Sequence, residues 1–68
     1  MISLENMLAT MSAKGLVTIT AMAAGKKRVG TLVEFSYGSG QVTRAWANGL
    51  GEAVTKAYFR SVDRGVFA

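Results

Sequence analysis

The chain contains no cysteine, no histidine and no proline, and its only acidic residues are Glu5, Glu34, Glu52 and Asp63. Without cysteine there are no disulfides. Without cysteine and histidine the usual zinc-ligand sets cannot form, so neither kind of covalent or metal staple supports the fold. The same absence fits a reducing compartment, and the expected location is cytoplasmic. Catalysis loses its commonest agents, thiolate and imidazole. The four carboxylates fall on separate predicted elements, each with a plain structural role as cap, strand surface or salt-bridge partner. A non-enzyme is therefore expected, with no cofactor, no metal and no small-molecule substrate.

Long apolar runs are also missing. None reaches the ~18 residues that suggest a membrane span, so no membrane partner is expected. One stretch imitates a secretory leader: Lys14, the apolar run from Leu16, and the triplet Ala21, Met22, Ala23. Thr18 and Thr20 interrupt that run, thirteen residues precede Lys14, and cleavage there leaves too little chain for a domain. The segment is expected to belong to the fold.

What remains is one small domain over residues 1–68, a length at which folding buries roughly 60% of the unfolded surface. Half of the residues are hydrophobic, which suits a globular chain. Eight Lys and Arg against four Asp and Glu give a net charge of +4, with a pI near 10.0. That balance favours anionic partners such as nucleic acid, or the acidic face of a protein or nucleoprotein complex. It serves equally to keep a small protein soluble.

Ile2 to Lys14 reads as an amphipathic helix, because Leu4, Met7, Leu8 and Met11 follow the i, i+3, i+4, i+7 spacing of one apolar stripe. Ser3 is the expected N-cap and Glu5 meets the positive end of the helix dipole. Ile2 is placed to staple onto Met7, and Lys14 with a left-handed Gly15 is expected at the stop. From Leu16 the period changes to two, with Val17, Ile19 and Ala21 on one side and Thr18 and Thr20 on the other. A turn over "AAGKK" leads to a second strand, Arg28 to Tyr37. The tripeptide Gly38, Ser39, Gly40 then signals a hairpin into a third strand, Gln41 to Asn48.

A second helix is expected from Leu50 or Gly51 to Arg64, stopped at Gly65. Its apolar arc is Val54, Tyr58 and Val62, widened by Thr55 and Phe59, beside a small-residue seam of Ala53, Ala57 and Ser61. Lys56, Arg60 and Arg64 form a basic stripe headed by Glu52. Val66 and Phe67 are expected to fold back onto the core. The predicted class is α+β, a two-layer sandwich in the order helix, three-stranded antiparallel meander, helix.

Glycine patterns here are turn chemistry. "GSGQVT" and "GLGEAV" both lack the last glycine of a dinucleotide-binding fingerprint. "AAGKKR" has Thr20 where a phosphate-binding loop needs its first glycine, and Lys27 where it needs Ser or Thr.

The third strand places Val42, Arg44, Trp46 and Asn48 on one face and Gln41, Thr43, Ala45 and Ala47 on the other. With the alanines under the helices, Arg44 and Trp46 project from the open face, beside Thr18, Thr20, Leu32 and Glu34. The opposite register buries Trp46 and drags an unpaired guanidinium inward, unless Arg44 snorkels to water.

The element order and domain length resemble the double-stranded RNA-binding domain over nearly the whole chain. The likeness is one of topology. Here the second helix opens "GLGEAVTK", with Glu52 and Lys56, where that family has a lysine-rich segment. "AAGKKR" stands where the family has a histidine-bearing loop, so none of its binding residues carries over. In size and composition the chain is also similar to the small inhibitors encoded by phages and mobile elements, including anti-CRISPR proteins.

The leading expectation is a stoichiometric binding module for an anionic macromolecule, nucleic acid or a nucleoprotein complex. The partner-binding candidates are Lys26, Lys27 and Arg28 in the first hairpin turn, Arg44 and Trp46 on the third strand, and Lys56, Arg60 and Arg64 on the second helix. One alternative is an inhibitor that works by protein–protein blockade with Trp46 as anchor. Another is a structural homo-oligomer, such as a homodimer, formed through exposed sheet edges.

Overall fold

The computed structural model describes residues 2–23 and 29–67. The elements run α1 (Leu4–Lys14), β1 (Gly15–Ala23), β2 (Val29–Tyr37), β3 (Gln41–Ala47) and α2 (Leu50–Asp63). The strands form one antiparallel sheet in the order β1-β2-β3. The expected α-β-β-β-α architecture is therefore the observed one.

Each boundary has a local cause. The Ser3 side chain accepts from the Asn6 backbone N–H at 3.1 Å, capping α1. At the other end the helix passes into β1 without a loop. Gly15 is fully extended (φ −176°) rather than left-handed as its place after Lys14 suggested, and its N–H closes the helix on the Met11 carbonyl. The β2–β3 turn uses positive φ at Gly38 and Gly40, and Tyr37 faces Gln41 across it. α2 ends in a Schellman motif. Gly65 at φ 76° sends its N–H to the Val62 carbonyl, and the Val66 N–H reaches Ser61, both at 3.0 Å.

The core lies between the helices and one face of the sheet. Met7 and Met11 from α1 meet Val33, Phe35, Ala45 and Ala47 from the sheet and Ala53, Val54 and Ala57 from α2. The tail folds back as expected: the Phe67 ring stacks between Phe35 and Tyr58, at centroid distances of 6.0 and 5.3 Å.

The rotation of α2 differs from the sequence-based expectation. Its inner face is the seam of Ala53, Ala57 and Ser61 with Val54, whereas Phe59 and Val62, placed on the apolar arc, are exposed. Small side chains let the helix approach the sheet, and Phe59 and Val62 are turned off it while Val54 and Tyr58 still pack against the core. Ser61 is buried without penalty because its hydroxyl donates to the Ala57 carbonyl at 2.9 Å.

Candidate functional site

Both helices pack on one side, so among the described residues no element covers the opposite face of the sheet. Register places Leu32 opposite Trp46 and Glu34 opposite Arg44 on that face. Thr20 and Thr18 from β1 complete the same two rows. Ala45 and Ala47 lie beneath the helices, and Trp46 is turned outward with Arg44, as the size alternation along β3 suggests. Trp46 keeps 37% of its surface exposed. Its indole lies across Gly30: a Cβ there would stand 2.3–2.4 Å from Cε2, Cζ2 and Nε1 of the ring. An aromatic laid over a strand glycine supplies the packing that glycine lacks.

Arg44 is not an isolated cation. Its Nε donates to Glu34 Oε2 at 2.7 Å, with side-chain exposures of 66% and 33%. In that setting the pair gives modest stability, but it cancels the only two charges in these rows of the open face.

The remaining arginines work at the sheet's edge. Arg60 in the last turn of α2 and Arg64 at its C-cap sit one turn apart, about 6 Å along the axis. The carbonyls of Arg44 and Val42 sit two residues apart on β3, about 6.8 Å. The two spacings match. The Arg60 guanidinium donates to the Arg44 carbonyl, and Arg64 Nη1 donates to the Val42 carbonyl at 3.1 Å. Edge carbonyls that would otherwise face water or another strand are thus answered from the helix. Arg64 Nη1 also reaches Thr43 Oγ1 at 3.1 Å and the Tyr37 hydroxyl at 3.3 Å. Among the described residues neither Arg60 nor Arg64 has a carboxylate partner. Lys56, one turn earlier, stands 3.7 Å from Glu52 on an exposed helix face.

The structure therefore brings Arg60 and Arg64 to the outer edge of β3 from the helix side, with Lys56 one turn before them on α2, whereas the Arg44 side chain lies with Trp46 on the adjoining open face, turned toward Glu34 on β2. Lys26, Lys27 and Arg28 lie outside the described residues. Sequence reasoning missed Glu34 as Arg44's partner, and it missed Tyr37 and Thr43 as Arg64's anchors. Together with Gln41, Val42, Gly65 and Val66, Tyr37 and Arg64 line an open groove at the same end of the sheet. Among the described residues no group of three or more Asp or Glu could hold a metal ion, and no helix is long and apolar enough to cross a membrane.

The Tyr37 phenol is held below its ordinary value, first by the Thr43 hydroxyl and then by the Arg64 guanidinium, both of which bond its oxygen. A folded-state pKa below the unfolded one binds the phenolate preferentially. Its contribution to stability is absent at neutral pH, grows as pH rises through the lowered pKa, and is complete above the unfolded value near 10. With Tyr58 replaced by Phe, tyrosinate absorbance reports Tyr37 alone. Arg64→Ala is then expected to move its titration upward; an unmoved titration refutes the contact.

Comparison with known proteins gives no match: no family model, no curated protein and no solved structure is significantly similar to this chain.

Proposed function

We propose that the chain is a non-enzymatic binding module that grips the phosphate backbone of a nucleic acid along the β3 edge. Arg44, Arg60 and Arg64 make the contacts, Lys56 extends them, and Trp46 on the adjoining face stacks an unpaired base or covers the sugar. The observation that carries this reading is the pair of arginines at the β3 edge, Arg60 and Arg64, bonded only to neutral oxygens, with Arg44 and Trp46 on the adjoining open face. A guanidinium has five N–H donors. The bonds described for Arg60 and Arg64 all come from Nη1, so the rest of each fork is available to a phosphate. The net charge of +4 attracts the same partner at long range.

The test is a fluorescence-anisotropy titration with single- and double-stranded DNA and RNA across a salt series. The three arginine contacts on a duplex predict a log–log salt slope of about −3, and Lys56 adds about −1 where it engages. Changing Arg60 and Arg64 together to Gln is expected to reduce that slope by about 2 while the fold persists. No binding of any of the four nucleic acids at low salt defeats the proposal.

A second reading is supported by the cancelled charge of the Glu34–Arg44 pair. A face with no net charge in these rows, carrying Thr18, Thr20, Leu32 and Trp46, suits blockade of a protein partner. In that case Trp46→Ala abolishes partner binding, the arginine changes do not, and salt has little effect.

A further inference from the structure

The sheet has two edges, and they are treated differently. Arg60 and Arg64 cover the carbonyls of the β3 edge. No described element lies beyond β1 in the sheet. Within β1 two of the usual safeguards are missing: its nine residues, GLVTITAMA, include no charge and no proline. Its register with β2 runs unbroken from Gly15↔Tyr37 to Ala23↔Val29, with no bulge. Long, uncharged, β-branched edge strands are templates for pairing with another chain. Leu16, 68% exposed, and Ile19, 46% exposed, stand on opposite faces of this strand, so apolar surface is left uncovered on both sides of the edge.

Alternation fixes which backbone groups are available. The Val42 and Arg44 carbonyls point away from β2, so the odd-numbered residues of β3 bond to β2 and the even-numbered residues of β2 bond to β1. The odd-numbered residues of β1 therefore point outward. The Gly15 N–H follows this rule by turning to Met11, and Val17 and Ile19 present their N–H and C=O groups along the edge.

We propose that the occupant of this edge is a second copy of the chain, its β1 antiparallel to the first about a two-fold axis at Ile19, giving a continuous six-stranded sheet. Ile19 is the midpoint of residues 15–23, so this register overlaps the two strands fully, with the Gly15 N–H alone kept on the Met11 carbonyl, and any shift leaves more of the edge unpaired. Ile19 faces Ile19 of the second copy on the helix side. On the open side Thr18 faces Thr20 of the second copy, and the two-fold repeats that pair. Two molecules of charge +4 repel each other, yet β1 meets its counterpart with no charge at the seam. The two arginine-bearing edges are left at the outer ends, about 24 Å apart across five strand spacings. This association does not depend on the nucleic-acid proposal.

Sedimentation equilibrium over a concentration series tests it. The expected mass rises from 7.2 kDa to twice that value. Added salt strengthens this association by screening the repulsion, opposite to its effect on nucleic-acid binding. Ile19→Lys and Thr18→Lys each place a charge at the seam and are expected to hold the protein monomeric. Both positions are exposed in the single chain, and if Ile19→Lys fails to fold, Thr18→Lys decides. In the otherwise cysteine-free chain, Ile19→Cys is expected to cross-link on oxidation far faster than Leu16→Cys. Only the former brings identical positions to the ~5.5 Å Cα separation of a hydrogen-bonded pair, within disulfide range. A monomer at every concentration overturns the proposal, as does a dimer that survives both lysine variants or a Leu16→Cys cross-link as fast as that of Ile19→Cys.

Discussion

Phe35→Ala is expected to leave much of the protein unfolded, while Phe59→Ala changes stability by no more than about 0.5 kcal/mol. Both residues are phenylalanines in regions that read as apolar, and their environments set the difference. Phe35 has no exposed surface. Its ring lies 5.1 Å from Tyr37 and 6.0 Å from Phe67. Truncating a ring so enclosed costs about 3–5 kcal/mol, from lost burial and the cavity left behind. A chain of 68 residues has only ~3–10 kcal/mol in total on the usual per-residue scale. Phe59 is 49% exposed and touches Tyr58 edge-on at 5.2 Å. Urea unfolding followed by circular dichroism measures both. Equal losses would mean that α2 does not present its small-residue seam to the sheet.

The second large effect is at the α1–β1 junction, where Gly15→Ala is expected to destabilise and Gly51→Ala to stabilise. A Cβ at position 15 would stand 2.0 Å from the Ser36 carbonyl oxygen and 3.1 Å from the Tyr37 Cα. These are backbone atoms of the neighbouring strand, so relief requires parting the β1–β2 ladder at its first pair or unwinding the end of α1. Overpacking of this kind costs about 1–3 kcal/mol, or more where nothing can yield. In a domain of this size each kcal/mol lowers Tm by about 4–8 °C. At Gly51 the added Cβ meets nothing within 4 Å, and alanine in the first turn of α2 gains about 0.4–1 kcal/mol by restricting the unfolded chain. Thermal melts of the two variants should move in opposite directions. A Gly15→Ala melt no lower than that of the parent chain rules out the direct helix-to-strand junction.

Much of the site was within reach of the sequence. The Gly38–Gly40 turn sets Tyr37 opposite Gln41, and counting outward from that pair brings Glu34 opposite Arg44 and Leu32 opposite Trp46. The ion pair was therefore implicit in the loop length, although Arg44 taken by itself reads as an available cation. Alternation along β3 sets Ala45 and Ala47 on one face and Arg44 and Trp46 on the other, because strand neighbours take opposite faces, and the packing of the helices over the alanines turns Trp46 outward. The stripe on α2 was visible as a spacing. Its destination was not, because a four-residue helical repeat can face solvent, a partner or the edge of the sheet equally well.

Local chemistry by itself determined the order of elements, the Ser3 cap, the glycine turn, the two faces of β3 and the Schellman stop at Gly65. Each depends on residues within a few positions of one another. Only the tertiary structure decided the rotation of α2, the extended form of Gly15 and the anchoring of Arg60 and Arg64. Two apolar arcs lay side by side on α2, and the arc facing the sheet depended on how closely helix and strands could approach. Gly15 was a plausible left-handed stop until Tyr37, 22 residues later, came to lie opposite it in the sheet. That approach, and the matched rise of helix and strand that carries two arginines to two carbonyls, exists only once distant segments are packed together.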